Sequence, residues 1–332
     1  MASNQQRDFF PFINFLRAFA VIMICLYHFT RQQHLGTSFV PEDNFLYQMS
    51  ESAIYLVHLF FVISGFVIPL SLHRSGYSIS SYHLFMLRRI IRIGLPYLLV
   101  IVLILTKEWL FALKNQSVLL LDWGKILHHL TFTVGFTDNQ WYNPIFWTLA
   151  IEIQFYLLAG LIYPLLVLQR SWGILLTLFL FALSSVVFAR FELLSLFAPQ
   201  FAMGMLLFCK QVKKISRREY LAGLLVLVAM LCFQNYLIAL ASLIGVLSID
   251  LIRIDKKWIN FLGDASYSLY LTHGLAGGSF IYLLADFFYA LNNSLICIIA
   301  LIISIAFSIV YWRFVEKPSH YLSRQIKIKS KA

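Results

Sequence analysis

Apolar runs of about twenty residues recur from one end of this chain to the other, and that repetition leaves few folds open. A helix needs roughly 20 predominantly apolar residues to cross bilayer hydrocarbon, where its backbone polar groups must be satisfied within the segment itself. The runs lie near 10–30, 51–71, 93–111, 145–168, 171–189, 193–209, 219–233, 236–252, 262–285 and 294–314. The 332 residues are 60% hydrophobic and 12% charged, and a mean hydropathy of +0.78 lies outside the range of soluble domains. The pattern predicts an all-α, polytopic transmembrane bundle of about ten helices, read as a single membrane domain over 1–332. Only Gln234 and Asn235 separate the seventh and eighth runs. One helix over 219–252 would be about 50 Å long, so a tight hairpin is expected there.

Charge sets the expected orientation. With the N-terminus in the cytoplasm, twenty of the 26 lysines and arginines fall in cytoplasmic segments, among them Arg7, Arg253, Lys256, Lys327, Lys329 and Lys331. Arg31, Lys107, Lys114, Lys125 and Arg190 fall outside, and Arg17 lies within a run. This is the positive-inside asymmetry, with both termini cytoplasmic. A net charge of +11 then needs no nucleic-acid partner, because anionic lipid at the inner leaflet accounts for it. Cys25, Cys209, Cys232 and Cys297 all fall in apolar runs and are read as small packing residues. No cleavable leader is expected, since the first run is too long for one and Arg17 interrupts it.

The ionisable residues inside the runs are the candidates for chemistry, because a charge in hydrocarbon costs several kcal/mol and usually faces a bundle interior or a wet cavity. The first run, FFPFINFLRAFAVIMICLYHFT, holds Arg17 and His28, eleven residues apart. Eleven residues make about three helical turns, so both leave one face at different depths. His28 is either an interfacial histidine or a general base for a hydroxyl. Arg17 lines a polar path or snorkels to the cytoplasmic face. In HLFFVISGFVI, Ser64-Gly65 permits close helix approach, and His58 either faces the cavity of His28 or is a hydrogen-bonded core residue.

MLRRIIRIGLPY concentrates Arg88, Arg89 and Arg92 at the cytoplasmic mouth of the third run, on one side of a helix. Guanidinium forks bind phosphate bidentately, although a positive-inside anchor is the plainer alternative. FWTLAIEIQFYLLAG carries Glu152, with Thr148 and Tyr156 on its face and Arg17, His28 or His58 as the expected partner. In FLGDASYSLYLTHGLAGG, Ser266, Tyr270 and His273 form one polar stripe. Such stripes also join helices, and His273 is the more functional candidate. The tail FVEKPSHYL reads as an interfacial terminus in which Glu316 and Lys317 are solvated.

This reading makes two chambers, with the arginines toward the cytoplasm and His28, His58 and Glu152 toward the outside. No metal-ligand spacing appears. A phosphate-bearing donor from inside and an acceptor outside would use both chambers. A transporter or flippase for a charged or glycan-linked substrate would share the buried Arg, His and Glu.

Several fragments in order resemble the acyltransferase 3 family of integral membrane acyltransferases. NFLRAFAVIMICLYH resembles its opening Arg-to-His motif, FFVISGFVI its Phe-Phe-x-x-Ser-Gly motif, and FMLRRIIRIGLPY its arginine motif with Arg89 and Arg92 in the paired positions. FWTLAIEIQFYLL, FLGDASYSLYLTH and FVEKPSHYL resemble its later segments. Departures stand at Ile153, where a second glutamate is frequent, at Thr148 for serine and at Thr272 for tryptophan.

The resemblance implies ten transmembrane helices in the cell inner (plasma) membrane. It also implies transfer of an acyl group, commonly acetyl, from cytoplasmic acetyl-CoA or another acyl-CoA to a glycan or lipid-linked saccharide. No cofactor is then bound permanently and no metal is used. By the same resemblance Arg89 and Arg92 engage the donor phosphates, Arg17 and His28 lie on the transfer path, and Glu152 takes the motif carboxylate position; Arg88, beside the pair, is read as joining it on the clustering of the residues.

Overall fold

A computed structural model describes residues 12–34, 37–190, 192–252, 257–284 and 292–326. Arg7, Arg253, Lys256, Lys327, Lys329 and Lys331 lie outside the described residues. Helix α1 (Phe12–Thr30) is followed by a two-residue antiparallel ladder, Gln33–His34 against Thr37–Ser38, the one strand pairing among the described residues. Helix α2 (Phe45–Glu51) continues through a 3-10 turn (Ser52–Leu56) into α3 (Val57–Arg74). Helix α4 (Tyr82–Arg89) passes through a π turn (Ile90–Gly94) into α5 (Leu95–Lys114). Then follow α6 (Trp123–Leu130), α7 (Trp147–Leu168), α8 (Ser171–Val187), α9 (Ala198–Gln211), α10 (Arg217–Gln234), α11 (Tyr236–Leu251) and α12 (Lys257–Asp264). Helix α13 (Ser266–His273) leads through a second π turn (Gly274–Gly278) into α14 (Ser279–Leu284). Helix α15 (Asn293–Tyr311) leads through a third (Trp312–Glu316) into α16 (Lys317–Gln325).

Polar caps set the helix limits where apolar periodicity does not. Ser216 and Glu219 form a reciprocal capping box at the start of α10. Asn235 ends α10 and accepts from the Leu237 N–H at 2.8 Å, so α11 begins at once in the expected tight hairpin. Asp122 accepts from the Lys125 N–H at 2.9 Å and starts α6, the short amphipathic helix of LLLDWGKILHHL.

Among the described residues, five helical segments are long and apolar enough to cross a membrane: Phe12–Thr30, Phe45–Arg74, Ile79–Lys114, Pro144–Leu168 and Asn293–Gln325. Ser171–Val187 and Tyr236–Leu251 are shorter apolar helices. Large apolar side chains such as Leu168, Leu225 and Phe233 stand on the outer surface of the bundle, as lipid-facing residues do when no water drives them inward. The protein is therefore an all-α membrane protein, the two-residue ladder aside. Of the cysteines, Cys25, Cys209 and Cys297 are buried as packing residues, whereas Cys232 is exposed on α10.

Helix α9 is the central post. Every residue from Ala198 to Cys209 is buried, because α3, α8, α10 and α11 surround it. Its crossing with α3 has no room for side chains. A Cβ on Gly65 would stand 2.2 Å from the Phe201 carbonyl oxygen, and one on Gly204 would stand 2.2 Å from that of Val62. The Ser64-Gly65 pair thus permits the close approach read from sequence, and Phe201 seals it by stacking on Phe155 at 4.1 Å.

Candidate active site

A cavity of about 830 Å³ opens among α1, α3, α7, α13 and α16. Its polar lining comes from distant parts of the chain. Arg17 enters from α1, Ser64 from α3, Arg89 and Arg92 from α4 and the first π turn, Glu152 from α7, and Glu316 from the third π turn. Arg17 is half-buried and makes no hydrogen bond to another described residue, so the guanidinium donors remain available to a ligand.

Glu152 accepts from the Ser64 hydroxyl at 3.1 Å and from the Tyr156 phenol. The expected ion pair with Arg17, His28 or His58 does not form among the described residues. Glu152 also belongs to the same cavity as the arginines, not to the histidine chamber. Depth along α7 is not sufficient to place it, because the helix face is set by packing. Tyr156, one turn on, lies under the Arg89 guanidinium at 5.4 Å and holds that face toward α4.

The arginine motif divides its labour. Arg89 is buried, donates to the Ser71 hydroxyl at 3.1 Å and lies 5.4 Å from the Phe85 ring centre. Arg92 donates through Nε to His320 Nε2 at 3.2 Å. Arg88 turns toward the C-terminal end of α16 and donates to the Ile326 carbonyl. All three, with Arg324, line a second cavity of about 270 Å³, and Arg89, Arg92 and Arg324 line the large one as well. The arginine cluster is thus a mouth of the central cavity.

Glu316 and His320 were not legible as site residues, and the expectation that Glu316 is solvated is wrong. Glu316 is 1% exposed and accepts from the Ser268 N–H at 3.1 Å and the Ser268 hydroxyl at 2.5 Å. Its other oxygen lies 3.5 Å from His320 Nε2. The π turn over Trp312–Glu316 rotates this carboxylate inward, and π turns are often found at functional positions. The other two π turns contain Arg92 and follow His273 directly.

The histidines form the opposite chamber. His28 lies against His273 with ring centres 5.4 Å apart. His273 is buried and its Nδ1 lies 2.8 Å from the Tyr270 carbonyl, which fixes the tautomer with the proton on Nδ1. His58 pairs through Nδ1 with Gln200 Nε2 at 3.0 Å. His28 and His58 line a third cavity of about 570 Å³ between α1, α3, α9 and α13. His28 also lines a fourth of about 520 Å³ with His273. Tyr270 belongs to both the central and the third cavities, and its hydroxyl lies 2.8 Å from the Thr148 hydroxyl. Arg17 and His28 therefore line adjoining chambers, with Tyr270 and Val57 common to the two.

The chain matches a family model described as an acyltransferase domain (acyltransferase 3) over residues 10–313. It is similar to O-acetyltransferase OatA of Staphylococcus aureus strains NCTC 8325 / PS 47, COL and MRSA252, at 29% identity over 189 residues in each case. The similarity takes in 54% of this chain and 29% of the length of each relative. No solved structure matches. A family match running over nearly the whole chain, on residues that converge on one polar cavity, makes this protein a member of the acyltransferase 3 family of membrane acyltransferases.

Proposed function

We propose that the protein carries an acyl group, acetyl in the first instance, from cytoplasmic acyl-CoA to a hydroxyl of a cell-surface or secreted glycan. The observation that carries this reading is the series of cavities. The arginine mouth shares Arg89, Arg92 and Arg324 with the central cavity, which shares Tyr270 and Val57 with the chamber of His28 and His58. A phosphate-bearing donor and a hydroxyl acceptor entering from opposite ends would meet beside Tyr270. The O-acetyltransferase relatives support acetyl as the acyl group. The same proposal includes ten crossings of the plasma membrane with both termini cytoplasmic, as the lysine and arginine asymmetry favours.

In this mechanism Arg89 and Arg92, supported by Arg88, hold the CoA phosphates through paired N–H donors. The thioester end extends into the central cavity, where Arg17 offers donors to the carbonyl oxygen as charge develops on it. His28 takes the proton of the acceptor hydroxyl as that oxygen attacks the thioester carbon. The C–S bond breaks, the new ester forms, and the proton passes to the departing thiolate. Glu152, held by Ser64 and Tyr156, sets a carboxyl group in the cavity that the arginines line and orients a partner there.

The direct test is release of CoA from acetyl-CoA by purified protein supplied with candidate glycans. A transporter would move its substrate without consuming acetyl-CoA, and that result would reject the proposal. Arg89→Ala is expected to raise the donor KM more than the acceptor KM. The reverse order would remove the phosphate assignment.

A further inference from the structure

We propose that the 570 Å³ chamber is the acceptor subsite, built to take a hexose ring, and that Gln200 is the residue that recognises its hydroxyls. This rests on the acyl-transfer reading for its biological sense, but the observations behind it are separate. Gln200 is the single polar side chain in the stretch Ala198 to Cys209 of α9, the most enclosed helix of the bundle, and it is 1% exposed. Its amide nitrogen donates to His58 at 3.0 Å, while its carbonyl oxygen is buried and has no hydrogen-bond partner. Buried polar atoms of native proteins are nearly always satisfied, so an orphan beside a cavity points to a ligand.

The chemistry of the pair narrows the ligand. With Gln200 donating to Nδ1, neutral His58 carries its proton on Nε2, so the pair presents one acceptor and one donor. Turning the amide over puts the proton on Nδ1, and the pair then presents the amide N–H donors of Gln200 and the Nε2 acceptor of His58. Either arrangement suits a hydroxyl or a vicinal diol, which both gives and accepts. An acyl tail can use neither. Around the pair stand Tyr27, Trp147 and Phe197, with His28 on the same chamber. Aromatic walls with a few converging polar groups are the usual build of a small-ligand site. The placement also puts the ring on the far side of Tyr270 from the arginine mouth, next to His28.

The test uses the full-length protein in lipid vesicles and three photoreactive alkyl glycosides, of glucose, galactose and N-acetylglucosamine. A photoreactive alkanol of the same chain length serves as the sugarless probe. The expected result is that at least one glycoside labels peptides containing His58, Trp147 or Gln200, that excess unlabelled glycoside suppresses the label, and that the alkanol does not give it. Equal labelling by the alkanol would mean a lipid pocket and would overturn the proposal. So would labelling confined to Gly274–Leu284, where the neighbouring chamber lies, or no labelling by any of the three. In the same vesicles Gln200→Leu is expected to raise the KM for the labelling glycoside about tenfold with the acetyl-CoA KM unchanged. An unchanged glycoside KM would remove Gln200 from recognition. If the chamber is labelled but no glycoside promotes CoA release, the acyl-transfer reading fails while the subsite stands.

Discussion

His28→Ala is expected to lower acyl transfer to glycan by two to four powers of ten, the range over which a positioned general base acts. The protein itself should survive. The imidazole borders two existing cavities and lies beside His273, so its removal enlarges open space without emptying a packed core. His28→Asn should fall as far, because it keeps a polar side chain and loses the base. Both variants are to be compared with the parent for labelled acetyl transfer in vesicles and for melting temperature in detergent. Retention of more than about a tenth of the parent rate by either, with an unchanged melting temperature, would withdraw the base role. Loss of melting cooperativity would instead show His28 to be structural.

The largest expected loss of stability is at the crossing of α3 and α9. Gly204→Ala places a Cβ 2.2 Å from the Val62 carbonyl oxygen and 2.6 Å from the Phe66 nitrogen. Both are backbone atoms, so no rotamer change relieves the overlap and the two helices must part. Overpacking in a close-packed interior costs about 1–3 kcal/mol and sometimes more, and separation here also strips contacts along a helix pair held by small residues. Gly94→Ala is the control, since its nearest neighbour is the Ile90 Cγ2 at 3.7 Å, an ordinary contact. Fluorescence-detected size-exclusion after heating should show Gly204→Ala lost at a lower temperature than Gly94→Ala. Equal survival of the two would mean that the crossing is looser than described.

The apolar runs, the hairpin at Gln234 and Asn235, and the close approach at Gly65 were all legible in the sequence, because each follows from local composition. A run of apolar residues this long makes a membrane helix wherever it sits, and a glycine in such a helix gives room for a neighbouring helix to come close. Which polar residues meet was less legible. Glu152 was given the wrong neighbours, because its azimuth depends on Tyr156 packing beneath Arg89. Glu316 and His320 stood among charged and polar residues in FVEKPSHYL and carried the signature of a solvated tail. The Pro one residue beyond Lys317, at the start of α16, was the usable signal, since it marks a new helical start and not a frayed end. Gln200 was passed over as one polar residue in an apolar run. Only the tertiary enclosure of α9 turns it into an orphaned amide.

The three π turns bear on how such a protein can change over time. Each ordinary α-helical residue advances the azimuth by about a hundred degrees. A wide coil is in effect one residue more than its helix requires, inserted without breaking the rod. Excising one residue from Trp312–Glu316 would restore regular winding and remove the widening that turns Glu316 inward, while Lys317 and all that follows kept their bearing, His320 beside Arg92 included. These coils therefore act as a local adjustment within the bundle: the polar groups carried in each one can be re-aimed singly, while the helices on either side and the lipid-facing exterior stay as they are.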